Sequence, residues 1–314
     1  MIDIQKIFEE LNQGDSFKRI KADGSPINIY CGLREANLPS IAFMSQNPPL
    51  NIESTQYLKV SQWEEKERVY WSSFDLQSFN ARTIFYALCL DLIQSTIGTR
   101  DDSAALIAVK NRYMVWRKMF RKASMPMSLE EYQGLYGELY FLYYKLWRKI
   151  GTDAIKAWSG ASRTAKDFSY KDDWFEVKTI STNANEVKIS SLTQLESETE
   201  GHLLVVRVEK MSDEYDDGHS TVDQLISTIL NEVEDAELKD LFLSKVTAYG
   251  YQVGMEEQPF PRYKVHACSS YLVSDGFPRI TNRDVKFDEI TKVAYSIATS
   301  GIKKFLEDDT YADA

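Results

Sequence analysis

One stretch constrains the fold of this chain more than any other. From Ser128 to Ile150 it reads as a single long amphipathic helix. Leu129, Tyr132, Leu135, Leu139, Leu142, Tyr143, Leu146 and Ile150 recur at the spacing of one helical face. Ser128 followed by Glu131 has the form of a capping box, and Gly151 is a natural stop. Gly134 and Gly137 interrupt the run, each at a cost of roughly 1 kcal/mol relative to alanine. Their presence points to another backbone passing close by. A helix this apolar needs a surface to cover, and the residues after it supply one.

Beyond the loop Trp158-Ser159-Gly160, the sequence predicts a hairpin of Asp167–Tyr170 and Trp174–Ile180 about a turn at Lys171–Asp173. A strand-like run at Glu186–Ile189 follows, then a helix carrying Gln194 with Ser190 or Ser191 as its cap, then an apolar strand at Leu203–Val208. The order helix, hairpin, strand, helix, strand implies an α/β fold, a mixed sheet flanked by helices. Earlier in the chain, Ile27–Cys31 and Val69–Phe74 read as strands. Ser103 to about Lys122 reads as a helix that Met125-Pro126 breaks. After Asp240, strands are expected near Lys245–Val253 and Ser270–Val273, with a helix near Asp288–Leu306. The expected organisation is a mixed region over 1–125 ending in a basic helix, a core over 126–210, and an α/β elaboration over 211–314 packed on that core.

The hairpin brings chemistry with it. With its turn centred between Lys171 and Asp172, Asp167 falls opposite Glu176, their Cβ atoms roughly 5 Å apart on one face. Two carboxylates so placed repel unless a cation or a shared proton relieves them. Hard oxygen donors at that separation suit Mg²⁺ or Mn²⁺. Alternation puts Lys178 on the same face as Glu176, where an ammonium can orient a water or stabilise a charged transition state. Val177 between them offers only its backbone carbonyl. Glu138 lies on the inward stripe of the preceding helix, three residues after Leu135 and four before Leu142. Taken alone, a D-x8-E-x-K string arises by chance in a chain of 47 acids and 37 bases. The joint order and spacing of these elements carry the weight.

Charge distribution bears on the partner. The net charge of −10 argues against nucleic acid at first sight. Yet Glu196 to Asp240 holds fourteen acids against three bases, which leaves the rest of the chain near neutral. Between Ser103 and Leu129 lie Lys110, Arg112, Arg117, Lys118, Arg121 and Lys122 with no acid among them. That run is either a basic face or one solvated side of a helix, and Trp116 and Phe120 within it read as core residues more than as stacking platforms. Cys31, Cys89 and Cys268 are scattered, match no metal-ligand spacing and suit a reducing cytosol. No apolar run approaches the roughly 18 residues that span a bilayer, and the first residues lack the order of a secretory signal.

Gly134-Leu135-Tyr136-Gly137-Glu138-Leu139, Trp158-Ser159-Gly160, Asp167-Phe168, Glu176-Val177-Lys178-Thr179 and Ser190-Ser191-Leu192-Thr193-Gln194-Leu195 together resemble an uncharacterised bacterial family assigned to the PD-(D/E)XK nucleases. Its members are often encoded in restriction or phage-defence gene neighbourhoods. Trp116 to Phe120 and Phe277-Pro278-Arg279-Ile280 also resemble features of that family. The resemblance implies a restriction-endonuclease-like core and a metal-dependent DNA endonuclease. It makes Asp167 and Glu176 metal ligands, Lys178 the catalytic lysine, Glu138 the helix carboxylate of the superfamily and Gln194 a glutamine near the site. The placement of the residues adds the Val177 carbonyl, and Glu138 directly or through water, to the metal's shell. Lys166 stands where the superfamily name has proline. Arg112, Arg117, Lys118, Arg121, Arg163 and Lys166 are the candidate DNA contacts. The expected partners are DNA, a second copy of the chain and other proteins of a defence system, with the acidic 196–240 stretch as one contact. Two rivals remain: a non-catalytic DNA-binding or assembly subunit with the same fold, and a DNA mimic using the acidic face.

Overall fold

The helix expected after Ser128 forms because its ends and its face are both provided for. Ser128 accepts from the Glu131 amide and Glu131 returns the bond to the Ser128 amide, so the capping box closes. The α-helix runs Leu129–Phe141, continues through one π-helical turn at Leu142–Leu146 and a last turn at Trp147–Ile150, and stops at Gly151, whose φ is +60°. The computed structural model describes residues 2–121, 127–160, 166–253, 260–287 and 289–310. Among these no helix is long and apolar enough to cross a membrane. The chain divides into two compact units, Met1–Pro126 with Gly250–Pro259, and Met127–Tyr249 with Phe260–Ala314.

The first unit is an antiparallel sheet with helices on one face. In chain order it holds α1 (Ile4–Glu9), β1 (Lys18–Ile20), β2 (Asn28–Leu33), β3 (Pro39–Ser45), β4 (Leu58–Lys66), β5 (Val69–Leu76), α2 (Arg82–Thr96) and α3 (Asp102–Trp116). The strands lie in the order β1-β2-β3-β5-β4. In the core Phe43 meets Phe74 edge to face and Phe74 meets Tyr113 at a tilt, with ring centroids 6.0 and 5.2 Å apart. The helix expected over Ser103–Lys122 runs Asp102–Trp116 with Asp101 capping its start, and beyond it the amides of Met119, Phe120 and Arg121 bond three residues back in a series of turns. Lys122 and the expected break at Met125-Pro126 lie outside the described residues.

The second unit carries α4 (Leu129–Phe141), α5 (Trp147–Ile150), α6 (Asp153–Ala157), β6 (Phe168–Tyr170), β7 (Asp173–Ser181), β8 (Glu186–Ile189), β9 (Gly201–Met211), α7 (Val222–Glu232), α8 (Ala236–Tyr249), β10 (Arg262–Val273), β11 (Tyr295–Ala298) and β12 (Leu306–Thr310). Its five-stranded sheet has the order β12-β10-β9-β7-β6, with β8 and β11 forming a separate pair. β7 and β9 run parallel and the other neighbours antiparallel, so the sheet is mixed, as the element order implied. Strands β10 and β12, which the sequence placed in a C-terminal elaboration, complete the sheet that β6, β7 and β9 begin.

Two expectations are corrected. Lys245–Val253 is not a strand, because α8 holds Lys239, Phe242, Leu243 and Val246 buried at helical spacing; the β-branched and aromatic residues near its end misled the reading. The helix expected near Asp288–Leu306 is instead β11, a 3₁₀ segment at Thr299–Phe305, and β12. Ile297 pairs into β11 against Val187, and the Thr299 amide bonds to the Asn185 carbonyl, which competes successfully with helix. Asp288 itself lies outside the described residues.

The mixed sheet is covered differently on its two faces. On one, Phe141 of α4 meets Phe168 and Phe175 at 5.0 and 5.3 Å. Gly137 crosses β7 so closely that a Cβ there would sit 1.8 Å from Thr179 Oγ1. On the other, Trp174, Leu203 and Val205 pack with Val187, Ile189, Leu195 and Ile297. Glu176 and Lys178 alternate onto this second face, opposite Leu203 and Val205 in the register.

Gly137→Ala is expected to destabilise the protein by about 1–3 kcal/mol, because overpacking against Thr179 exceeds the gain in helix propensity. Combined with Thr179→Ala, the same change should cost little. Urea denaturation of the two single variants and the double variant measures the coupling; a coupling near zero would show that the close approach does not govern packing here.

Candidate active site

The hairpin register sets the site. Phe168 pairs with Phe175, Ser169 with Trp174 and Tyr170 with Asp173, about a turn whose Lys171 has φ +55°. β6 spans only three residues while β7 spans nine, so the edge of β7 beyond Phe175 lacks a partner from β6. Asp167, immediately before β6, takes that place with its side chain: its Oδ2 accepts the Val177 amide at 2.7 Å. The amide and carbonyl of one strand residue point to the same edge, so the Val177 carbonyl also faces the Asp167 side. Asp167, Glu176 and Val177 thus come together as the sequence led one to expect.

Lys178 Nζ donates to Glu176 Oε1 at 2.7 Å; Glu176 is buried and Lys178 half-buried. Glu138 reaches the same region from α4, with each oxygen engaged: Oε2 accepts Trp158 Nε1 at 2.7 Å and Oε1 accepts the Tyr249 hydroxyl at 2.8 Å. These two partners escaped sequence reading. Trp158 stood in a loop with no assigned role, and Tyr249 lies at the end of a helix misread as a strand. A third neighbour holds them in place. Lys245 of α8 donates to the carbonyls of Ile155, Lys156 and Trp158 and so ties α8 to the end of α6. Gly160, with φ +55°, lets the chain turn against Lys245.

Electrostatically the cluster is short of positive charge. Burial pushes Glu138 well above the usual carboxylate range, with Asp167 and Glu176 adding to the effect against the pull of its two donors. Asp167 is raised by burial despite Lys178, the Val177 amide and Lys166. Glu176 is raised to about 7, by burial and by Asp167 against the pull of Lys178. Burial works against the Lys178 ammonium, but Glu176 and Asp167 outweigh it and hold the lysine protonated. Two buried carboxylates, Glu138 and Glu176, and the half-buried Asp167 therefore share one close ammonium. A divalent cation would restore the balance, and the donor set of Asp167, Glu176 and the Val177 carbonyl is the hard oxygen kind that Mg²⁺ or Mn²⁺ takes. Among the described residues no group of three or more His, Cys, Asp or Glu side chains is arranged to hold a metal by itself. The fit thus rests on two carboxylates and a backbone oxygen.

The other expected residues fall in several places. Gln194 sits in a 3₁₀ turn, Leu192–Gln194, rather than a helix, and its side-chain oxygen accepts the Ser190 amide at 2.7 Å. Lys166 donates to the carbonyls of Thr193 and Gln194 at 3.0 and 2.6 Å and lies 3.8 Å over the Trp174 ring. Burial lowers its pKa to about 8. In the first unit, Arg112 pairs with buried Asp91, which also accepts Trp116 Nε1 at 2.7 Å, and Arg117 pairs with Glu53. Lys118 and Arg121 are exposed. Arg163 lies outside the described residues. Asp91 and Glu53, remote in sequence, are the acids that the run 103–129 lacked.

A family model described as "Putative PD-(D/E)XK family member, (DUF4420)" matches residues 4–300. No curated protein and no solved structure matches the chain.

The raised carboxylates have a consequence for stability without metal. A folded pKa above the unfolded one means that the unfolded chain releases its proton first. Stability therefore falls as pH rises from about 4.5 to about 7 for Glu176, then levels off. For Glu176 the loss is on the order of 3 kcal/mol. Asp167→Asn keeps an acceptor for the Val177 amide and removes one repelling charge. In EDTA the variant should melt no lower than the original at pH 8 and decline less between pH 5 and pH 8. Thermal melts across that range test it, and a variant less stable at pH 8 would mean that Asp167 is held by net attraction.

Proposed function

Since the chain belongs to this PD-(D/E)XK family, we propose that it is a Mg²⁺- or Mn²⁺-dependent endonuclease that hydrolyses DNA phosphodiester bonds in a restriction or phage-defence system. The observation that carries this reading is the pair of half-buried Asp167 and buried Glu176 at the open edge of β7, with Lys178 bonded to Glu176 on the same face. A scaffold has no need to crowd three carboxylates around one ammonium, an arrangement that costs folding energy.

In this reading Asp167, Glu176 and the Val177 carbonyl hold the cation. The bound cation supplies Lewis acidity toward the phosphate and a water of lowered pKa. Lys178 stays protonated, orients the attacking water and stabilises the charge that builds on the phosphoryl oxygens. Glu138 has both oxygens engaged by Trp158 and Tyr249, so it acts through a water molecule rather than as a direct ligand. Lys118 and Arg121 are the exposed bases of the 103–129 run available to a phosphate backbone, while Arg112 and Arg117 serve their own unit through Asp91 and Glu53. A homodimer, a cytoplasmic location and a protein partner at the acidic 196–240 stretch complete the proposal.

Purified protein incubated with plasmid, linear duplex and single strands, with and without Mg²⁺ or Mn²⁺, tests the activity directly. Cleavage should require metal and disappear in Asp167→Ala and Glu176→Ala. A protein that binds DNA yet cuts none of these substrates would favour the non-catalytic subunit.

Lys178→Ala should lower turnover by roughly 10²–10⁴-fold and leave metal binding largely intact. Mn²⁺ at a hundred times its Kd stabilises a folded-state site by about 2.7 kcal/mol. The melting temperature of the lysine variant should still rise with Mn²⁺, while that of Asp167→Asn should not. Loss of the Mn²⁺ response in Lys178→Ala would make the lysine part of the metal site instead.

A further inference from the structure

The turn that carries Gln194 ends in three successive backbone carbonyls, and a cation holds each of them. Lys166 donates to Thr193 and Gln194, and Arg279 Nη1 donates to the Leu195 carbonyl at 2.8 Å. Cations capping adjacent carbonyls of one turn are necessarily close neighbours, and like charges so placed repel. Glu176, Glu196 and Asp167 favour the Lys166 ammonium, and Arg279 in turn favours the Asp284 carboxylate. Glu196 accepts from the backbone and side chain of Asn282, and Asp284 from the Thr281 amide and hydroxyl at 2.8 and 2.9 Å. Among the described residues Arg279 forms no ion pair, and its Nε and Nη2 donate to no protein acceptor. It is half-exposed.

One carbonyl needs one donor, which an amide side chain could supply. A guanidinium brings four more, in a fork that matches two oxygens of a phosphate. Lys166 directly precedes Asp167 and interacts with both Asp167 and Glu176, so it links Arg279 to the carboxylates at the edge of β7. We propose that Arg279 and Lys166 form a binding site for one DNA phosphate next to the reaction centre, a reading that takes its ligand from the nuclease assignment. The Leu195 carbonyl aims the guanidinium, and the Trp174 ring and the turn hold the ammonium in place.

The test measures binding of the full-length protein to a short labelled DNA duplex in EDTA, where nothing is cut, from about 50 to about 200 mM KCl. Arg279→Gln keeps a donor for the Leu195 carbonyl and loses the charge. It should reduce the salt dependence of log Kd by about one phosphate contact and weaken binding at 0.1 M salt roughly eightfold. Arg279→Lys should recover most of the salt slope. Both variants should keep the Mn²⁺-induced rise in melting temperature. An unchanged salt slope in Arg279→Gln, with or without a lower melting temperature, would make Arg279 a tether for the turn and overturn the proposal. A wild-type protein that binds no duplex would overturn it together with the nuclease reading. If the slope falls as expected but no metal or substrate yields cleavage, the phosphate site stands and the nuclease assignment alone fails.

Discussion

The bond from the Val177 amide to Asp167 is the hinge of this structure. β6 is too short to pair with the far half of β7, and a strand edge inside a protein must find partners for its amides and carbonyls. Here a side chain does so. By taking the Val177 amide, Asp167 is fixed beside Glu176, and the carbonyl of Val177 is left to face the same space. A longer β6 would satisfy that edge with backbone and leave no room for a ligand. The shortness of one strand and the chemistry of the site are the same fact.

What surrounds the pair decides its charge state. Glu138 arrives from α4, which Gly137 allows to lie directly on Thr179. Trp158 and Tyr249 then fill both of its oxygens. The helix α8, through Tyr249 and Lys245, holds the Glu138 side chain and the loop that bears Trp158 in one arrangement. The negative charge is thus gathered by rigid elements, and only Lys178 offsets it at contact distance.

Much of this was legible from residue spacing. The helix over 129–150, its cap, its stop and its two glycines all follow from local rules that tertiary contacts did not override. The hairpin register followed from where its turn falls, and with it the placement of Asp167 near Glu176. Elements governed by distant partners were harder to read. Val246, Thr247 and Tyr249 favour strand by composition, yet the buried spacing of Phe242, Leu243 and Val246 keeps them in α8. Thr299–Phe305 reads as helical but lies where Asn185 and β8 draw it into another shape. The basic run of 103–129 looked uniform because Asp91 and Glu53, which pair with Arg112 and Arg117, are remote in sequence. Spacing reveals what a residue's neighbours along the chain require, and not which distant residue answers it.

The course of the chain between its two units has a consequence for synthesis. The first unit takes Met1–Pro126 and, much later, Gly250–Pro259, where the Val253 amide bonds to the Met119 carbonyl. A ribosome must therefore deliver α4, the hairpin, β9, α7 and α8 before the first unit receives its last piece. Tyr249, the donor to Glu138, is the final residue translated before that return. The carboxylate cluster acquires its last hydrogen-bond donor as the other unit begins to close, so maturation of the two is coupled in time. A proteolytic cut near Pro126 would leave Gly250–Pro259 on the polypeptide of the second unit, so the first unit would then be built from two separate chains.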